Sequence, residues 1–106
     1  MTEEIDEKAR ILYKLLTMSV KRIQANKPMK SHEIALLRRI FPDTYSICAE
    51  MSFDEIIELD KKYMDHPLYG ERIRVMLTPE GQKWLKDSLT LIKAHEAGRI
   101  KAQADD

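Results

Sequence analysis

Little in this chain is set aside for covalent or metal chemistry. Its 106 residues include one cysteine and three histidines. A single cysteine excludes an intrachain disulfide framework and a cysteine-based zinc cluster. Cys48, between Ile47 and Ala49, reads as a small buried apolar residue rather than a nucleophile. The three glycines, Gly70, Gly81 and Gly98, are too scattered to build a phosphate-cradling loop. His32, His66 and His95 have no His or Cys at helical spacing, and His95-Glu96 lacks the second His of a metalloprotease helix, so no metal and no cofactor is expected. No G-x-S-x-G turn presents a nucleophile, and the expectation is a protein that is not an enzyme.

Net charge is missing too. Eighteen Lys and Arg balance eighteen Asp and Glu, so no global field draws the chain onto nucleic acid or anionic lipid, although local patches remain open. No stretch approaches the ~18 apolar residues of a membrane span. The opening MTEEIDEK is acidic where a secretory signal is basic, so a reduced, cytoplasmic protein away from the membrane is expected.

What is present reads as helix. The apolar fraction is 43% and the charged fraction 34%, ordinary for a mostly helical single domain of this size. Thr2, followed by Glu3, Glu4 and Asp6, is read as the start of a first helix of about twenty residues. Its stripe is Ile5, Ala9, Leu12, Leu16, Ser19 and Ile23, and Asn26-Lys27-Pro28 ends it, Asn tolerating the left-handed cap. Ser31 is the N-cap candidate for a second helix through Ile34, Leu37 and Phe41, stopped by Pro42. A short helical piece, 43–51, follows. Ser52 and Glu55 form a capping box ahead of a helix over residues 53–64, and Asp65-His66-Pro67 breaks it.

From Glu71 the period changes. Ile73, Val75 and Leu77 alternate with Arg72, Arg74 and Met76, which predicts a strand. Its partner is taken to be an extended piece over 63–68, with the hairpin tip near Gly70, or a strand of a second copy. Thr78-Pro79-Glu80 then starts a last helix as N-cap, first helical residue and first-turn acid. Trp84, Leu85, Ser88, Leu89, Leu91 and Ile92 mark its apolar face, Gly98 is read as its C-cap, and residues 99–106 as a flexible tail after a single domain over 1–98.

Arg74-Val75-Met76-Leu77-Thr78-Pro79-Glu80-Gly81, followed by Gln82-Lys83-Trp84-Leu85, resembles the end of winged-helix transcription regulators of the MarR and PadR type. There a wing strand ending in an LTPEG run leads into a dimerisation helix. The resemblance implies a mainly α fold, four to five helices with a small β-hairpin, in a winged-helix-like arrangement. It also implies DNA binding with Arg72 and Arg74 in the wing, and a homodimer paired through the first and last helices. The helix before the hairpin departs from that pattern. SFDEIIELDKKYM carries four acids against two bases where a polyanion would dock. DNA reading then falls to the segment around Tyr45 and Ser46, with Lys27, Lys30, Arg38, Arg39, Arg72 and Arg74 contributing affinity. The alternative is a protein–protein interaction module that binds its partner through the acidic helix, at Asp54, Glu55 and Glu58.

Overall fold

The computed structural model describes residues 6–104, and over them the chain is all helix: α1 Glu7–Gln24, α2 Ser31–Ile40, α3 Pro42–Glu50, α4 Phe53–Tyr63, α5 Gly70–Leu77 and α6 Pro79–Ala104. No strand occurs among the described residues, so the predicted β-hairpin is absent and the winged-helix arrangement is overturned. Ile73 to Leu77, read as a strand, is α5. The piece at 63–68, read as its partner, is the end of α4 and the turn that follows. The alternation misleads because Ile73, Met76 and Leu77 also satisfy helical spacing. In α5 it is Gly70, Ile73 and Met76 that are buried. A strand here would need a partner for its backbone groups, whereas a helix bonds its own, and packing on α1, α4 and α6 overrides the β preference of Ile73 and Val75.

Gly70 is where α4 and α5 meet. A Cβ there would lie 2.5 Å from the Met64 carbonyl oxygen. Gly81 plays the same part between α5 and α6, since a Cβ on it would stand 2.6 Å from the Met76 carbonyl oxygen and meet that of Val75 as well. The glycine of the LTPEG run is thus required by a close crossing of two helices.

The cap residues fall mostly where the sequence puts them. Ser52 Oγ accepts from Glu55 N–H at 3.1 Å while Glu55 accepts from Ser52 N–H at 2.9 Å. Asn26 adopts φ 56° and closes α1 with the Asn26 N–H to Ile23 and Lys27 N–H to Arg22 carbonyl bonds, at 3.1 and 2.8 Å. Thr78 Oγ1 accepts from Gly81 N–H at 3.0 Å, capping α6 as expected. Three cap assignments change. α1 is capped by Asp6, which accepts from Lys8 N–H at 2.8 Å, and the expected roles of Thr2, Glu3, Glu4 and Ile5 lie outside the described residues. α2 is capped at Lys30 rather than Ser31, with Glu33 accepting from Lys30 N–H at 2.7 Å. Gly98 is no C-cap. The helix runs through it to Ala104, so 99–104 are helical, while residues 105 and 106 lie outside the described part.

One core joins all six helices, with Leu12, Leu15, Leu16 and Ile23 of α1 among Ile34, Leu37, Tyr45, Cys48, Ile56, Ile73, Met76, Leu85, Leu89 and Ile92. Cys48 is wholly buried, and that burial pushes its thiol up to about 12, as befits a core residue. Most of the described part of the apolar stripes of α1 and α6 is buried within the chain. Met18 on α1 and Leu91 and Ile100 on α6 are the large apolar side chains those two helices leave exposed. No helix of the described residues is long and apolar enough to cross a membrane.

Candidate functional site

Charge balance over the whole chain conceals strong segregation along it. Residues 21–40 hold six bases, Lys21, Arg22, Lys27, Lys30, Arg38 and Arg39, against the single acid Glu33. Residues 41–71 reverse this, with eight acids against Lys61 and Lys62. The two blocks share α6 as a support, α2 packing on α3 and α6 and α4 packing on α5 and α6.

The bases gather at the two ends of α2. At its N-terminal end Lys21, Arg22, Ala25, Lys27, Pro28 and Lys30 line a concavity of about 570 Å³. Its backbone is held firmly. Asn26 and Lys27 close the end of α1, and the Trp84 Nε1–H donates to the Lys27 carbonyl at 2.9 Å, tying the loop to α6. Met29 is buried beneath. Arg22 pairs with Glu33, which leaves Lys21, Lys27 and Lys30 as exposed ammonium groups.

At the C-terminal end, Arg38, Arg39, Pro42, Tyr45, Ser46, Glu96 and Arg99 line a cleft of about 250 Å³. Its floor is a polar network of fixed direction. The Tyr45 hydroxyl donates to Glu96 Oε1 at 2.9 Å, and so must accept from His95 Nδ1–H at 2.8 Å. Arg99 forks onto Glu96, Nε to Oε1 and Nη2 to Oε2, each at 2.9 Å. Those Arg99 bonds and the Tyr45 hydroxyl bond hold the Glu96 carboxyl down at about 2. Burial, with the Glu96 bond, raises the Tyr45 hydroxyl above its ordinary value. Tyr45 is only 3% exposed, so the expected reading side chain is a core residue whose hydroxyl positions Glu96.

Six of the eight residues expected to bind nucleic acid thus fall on these two concavities: Lys27 and Lys30 on one, Arg38, Arg39, Tyr45 and Ser46 on the other. Arg72 and Arg74 do not join them. Both sit on α5, where Arg72 Nη1 donates to Thr17 Oγ1 at 3.2 Å over the Tyr13 ring, and Arg74 Nη1 donates to the Met64 carbonyl at 2.6 Å, capping α4. With the wing absent, these arginines are tied to the protein's own helices.

Arg99 was hidden from sequence reasoning by the expected stop at Gly98. The signal was there: Glu96 and Arg99 stand at i, i+3, the spacing of a pair on a continuing helix.

The three acids of the alternative reading also come together. Asp54, Glu55 and Glu58 line a groove of about 480 Å³ with Asp6, Lys8, Met51, Leu59 and Lys62. Glu55 is partly committed there, its carboxyl lowered chiefly by the Ser52 backbone N–H it accepts. Among the described residues no group of His, Cys, Asp and Glu is arranged to hold a metal ion. No protein-family model matches this chain, and comparison with curated proteins and with solved structures yields no match.

Proposed function

We propose that this chain is a non-enzymatic nucleic-acid-binding protein that grips the phosphate backbone at both ends of α2. The observation that carries the reading is the collection of Lys21, Lys27, Lys30, Arg38 and Arg39 around two concavities on a molecule whose charges balance as a whole. Phosphate contacts depend on cations that release counterions, and exposed Lys and Arg over a rigid backbone supply them. No acid of α4 lines either concavity. The arrangement favours backbone gripping over base reading, because Tyr45 is buried and α2 exposes His32, Ala35 and Leu36 between its basic ends.

The test is retention of fluorescent single- and double-stranded oligonucleotides over 50–200 mM salt. Affinity should fall with a log–log slope of about −0.9 per phosphate held on a duplex, and Lys27→Ala with Lys30→Ala should flatten that slope by about two. Absence of retention at low salt, or a slope untouched by the double substitution, refutes the reading.

A second reading rests on the acidic groove, whose partly buried Met51 and Leu59 lie among Asp54, Glu55 and Glu58. It suits a lysine-rich amphipathic segment of another protein. Asp54→Lys with Glu58→Lys, which spares the Glu55 cap, should abolish binding of such a synthetic peptide. Equal binding by the variant would discard the groove.

A further inference from the structure

The two ends of α2 differ in a way that matters for the phosphate each accepts. We propose that the cleft of Arg38, Arg39 and Arg99 is a receptor for a phosphate monoester at the end of a nucleic-acid strand. The proposal deepens the nucleic-acid reading and rests on it.

Charge favours a terminal phosphate over an internal one. Three guanidinium groups face one carboxylate, Glu96, which stays ionised, so the cleft carries two positive charges in excess. A terminal phosphate carries about −1.5 to −2 at neutral pH, whereas an internal diester carries one charge. Neither Arg38 nor Arg39 takes part in an ion pair among the described residues, and Arg38 stands 6.0 Å from the Tyr45 ring centroid with its fork available.

The size of the cleft favours a terminal phosphate too. At about 250 Å³ this cleft is less than half the volume of the Lys27 concavity at about 570 Å³. Tyr45 closes its floor, with the hydroxyl already committed to Glu96 and His95. A terminal phosphate fits so compact a cleft and offers three free oxygens to forked donors, more than an internal diester presents.

Helix α3, nine residues long, begins at the cleft with Pro42 in its first turn. No side chain caps it, and with Pro42 lacking an N–H, the first-turn donors left without an intrahelical partner are the Asp43 and Thr44 N–H groups. Asp43, in the same turn, does not line the cleft and acts electrostatically on Arg10 of α1. The Ser46 hydroxyl, one turn on, is a further donor in the lining.

Geometry links the two ends. Lys30 and Arg38 are eight residues apart, about 12 Å along the helix axis. With α2 laid parallel to a duplex axis, that corresponds to the axial rise of roughly three to four nucleotides. The lysine concavity would then hold diesters a few positions in from the terminal phosphate.

The experiment is fluorescence anisotropy with one oligonucleotide sequence in three forms: 5′-phosphorylated, 3′-phosphorylated and hydroxyl at both ends, the label being internal. At least one phosphorylated form should bind about ten-fold tighter than the hydroxyl form, the scale of one added charge-assisted contact. Which form it is separates the two kinds of strand end. Arg39→Gln, at an exposed side chain in the cleft, should bring the ratio of phosphorylated to hydroxyl-end affinity from about ten down to about one, while hydroxyl-end binding weakens only by the loss of one backbone contact. Lys27→Ala with Lys30→Ala should weaken all forms alike and preserve the ratio. Equal binding of the three forms overturns the end receptor and leaves backbone gripping standing. Failure of all three to bind overturns both. Tighter binding of a phosphoserine peptide than of any strand also overturns the proposal, in favour of a protein ligand.

Discussion

Lys93 offers the sharpest test of how this fold is held. Helix α3 ends at Glu50, and the carbonyls of its last turn have no intrahelical partner. The Lys93 ammonium, projecting from α6, donates to three carbonyl oxygens there: Cys48 at 3.1 Å, Ala49 at 3.2 Å and Met51 at 2.6 Å. One cation thereby uses all its donors, and it sits where the helix dipole is negative. Lys93→Met keeps the length of the side chain and removes only the charge and its bonds. A hydrogen bond to a charged group contributes about 1.5–3 kcal/mol. The three bonds share one ammonium that must shed its hydration, and Ala49 and Met51 are close enough to water for partial replacement. The expected loss is therefore about 2–3 kcal/mol in total, well short of three separate bonds. For a domain of this size that lowers Tm by roughly 8–12 °C. Urea unfolding followed by far-UV circular dichroism measures it directly. A loss below about 0.5 kcal/mol with an unchanged m-value would mean that the ammonium is no better bound there than in water, and the cross-link between α3 and α6 would have to be abandoned.

Two further outcomes follow from buried or misread positions. Asp60 is 6% exposed, and burial pushes its carboxyl from the usual 3.8 up to about 7. Between those values the folded chain binds more protons than the unfolded one, so this group makes stability fall as pH rises from about 4 to 7, with the full penalty above. Asp60→Asn should raise stability at pH 7.5 by on the order of 2–4 kcal/mol and change it little at pH 4; equal stability profiles for the two proteins would refute a desolvated carboxylate. Gly98 lies inside α6 with open space where a Cβ would stand and without a positive φ, so Gly98→Ala should stabilise the chain by about 0.5–1 kcal/mol in thermal unfolding. Destabilisation would instead restore the left-handed cap that the sequence suggests.

Local chemistry settled much of this molecule before any packing. The Ser52–Glu55 box, the left-handed Asn26, the Thr78-Pro79 start and the stripes of α1 and α6 depend on neighbours within a turn or two, and each sits where its residues indicate. A lone cysteine among apolar neighbours was enough to place Cys48 in the core. The segment Ile73 to Leu77 could not be decided that way. A stretch so short satisfies both periods, and only the absence of a pairing strand and the close approach of α5 to Met64 and Gly81 select the helix. The functional surface depends still more on tertiary structure. Basic residues in 21–40 are visible in the chain, but Arg99 reaches Arg38 only because α6 continues past Gly98 and lies across α2 and α3. Arg72 and Arg74, equally basic, are turned to holding Thr17 and Met64. Charge is a property of the residue; whether a cation meets solvent or a carbonyl is decided by which helices happen to flank it.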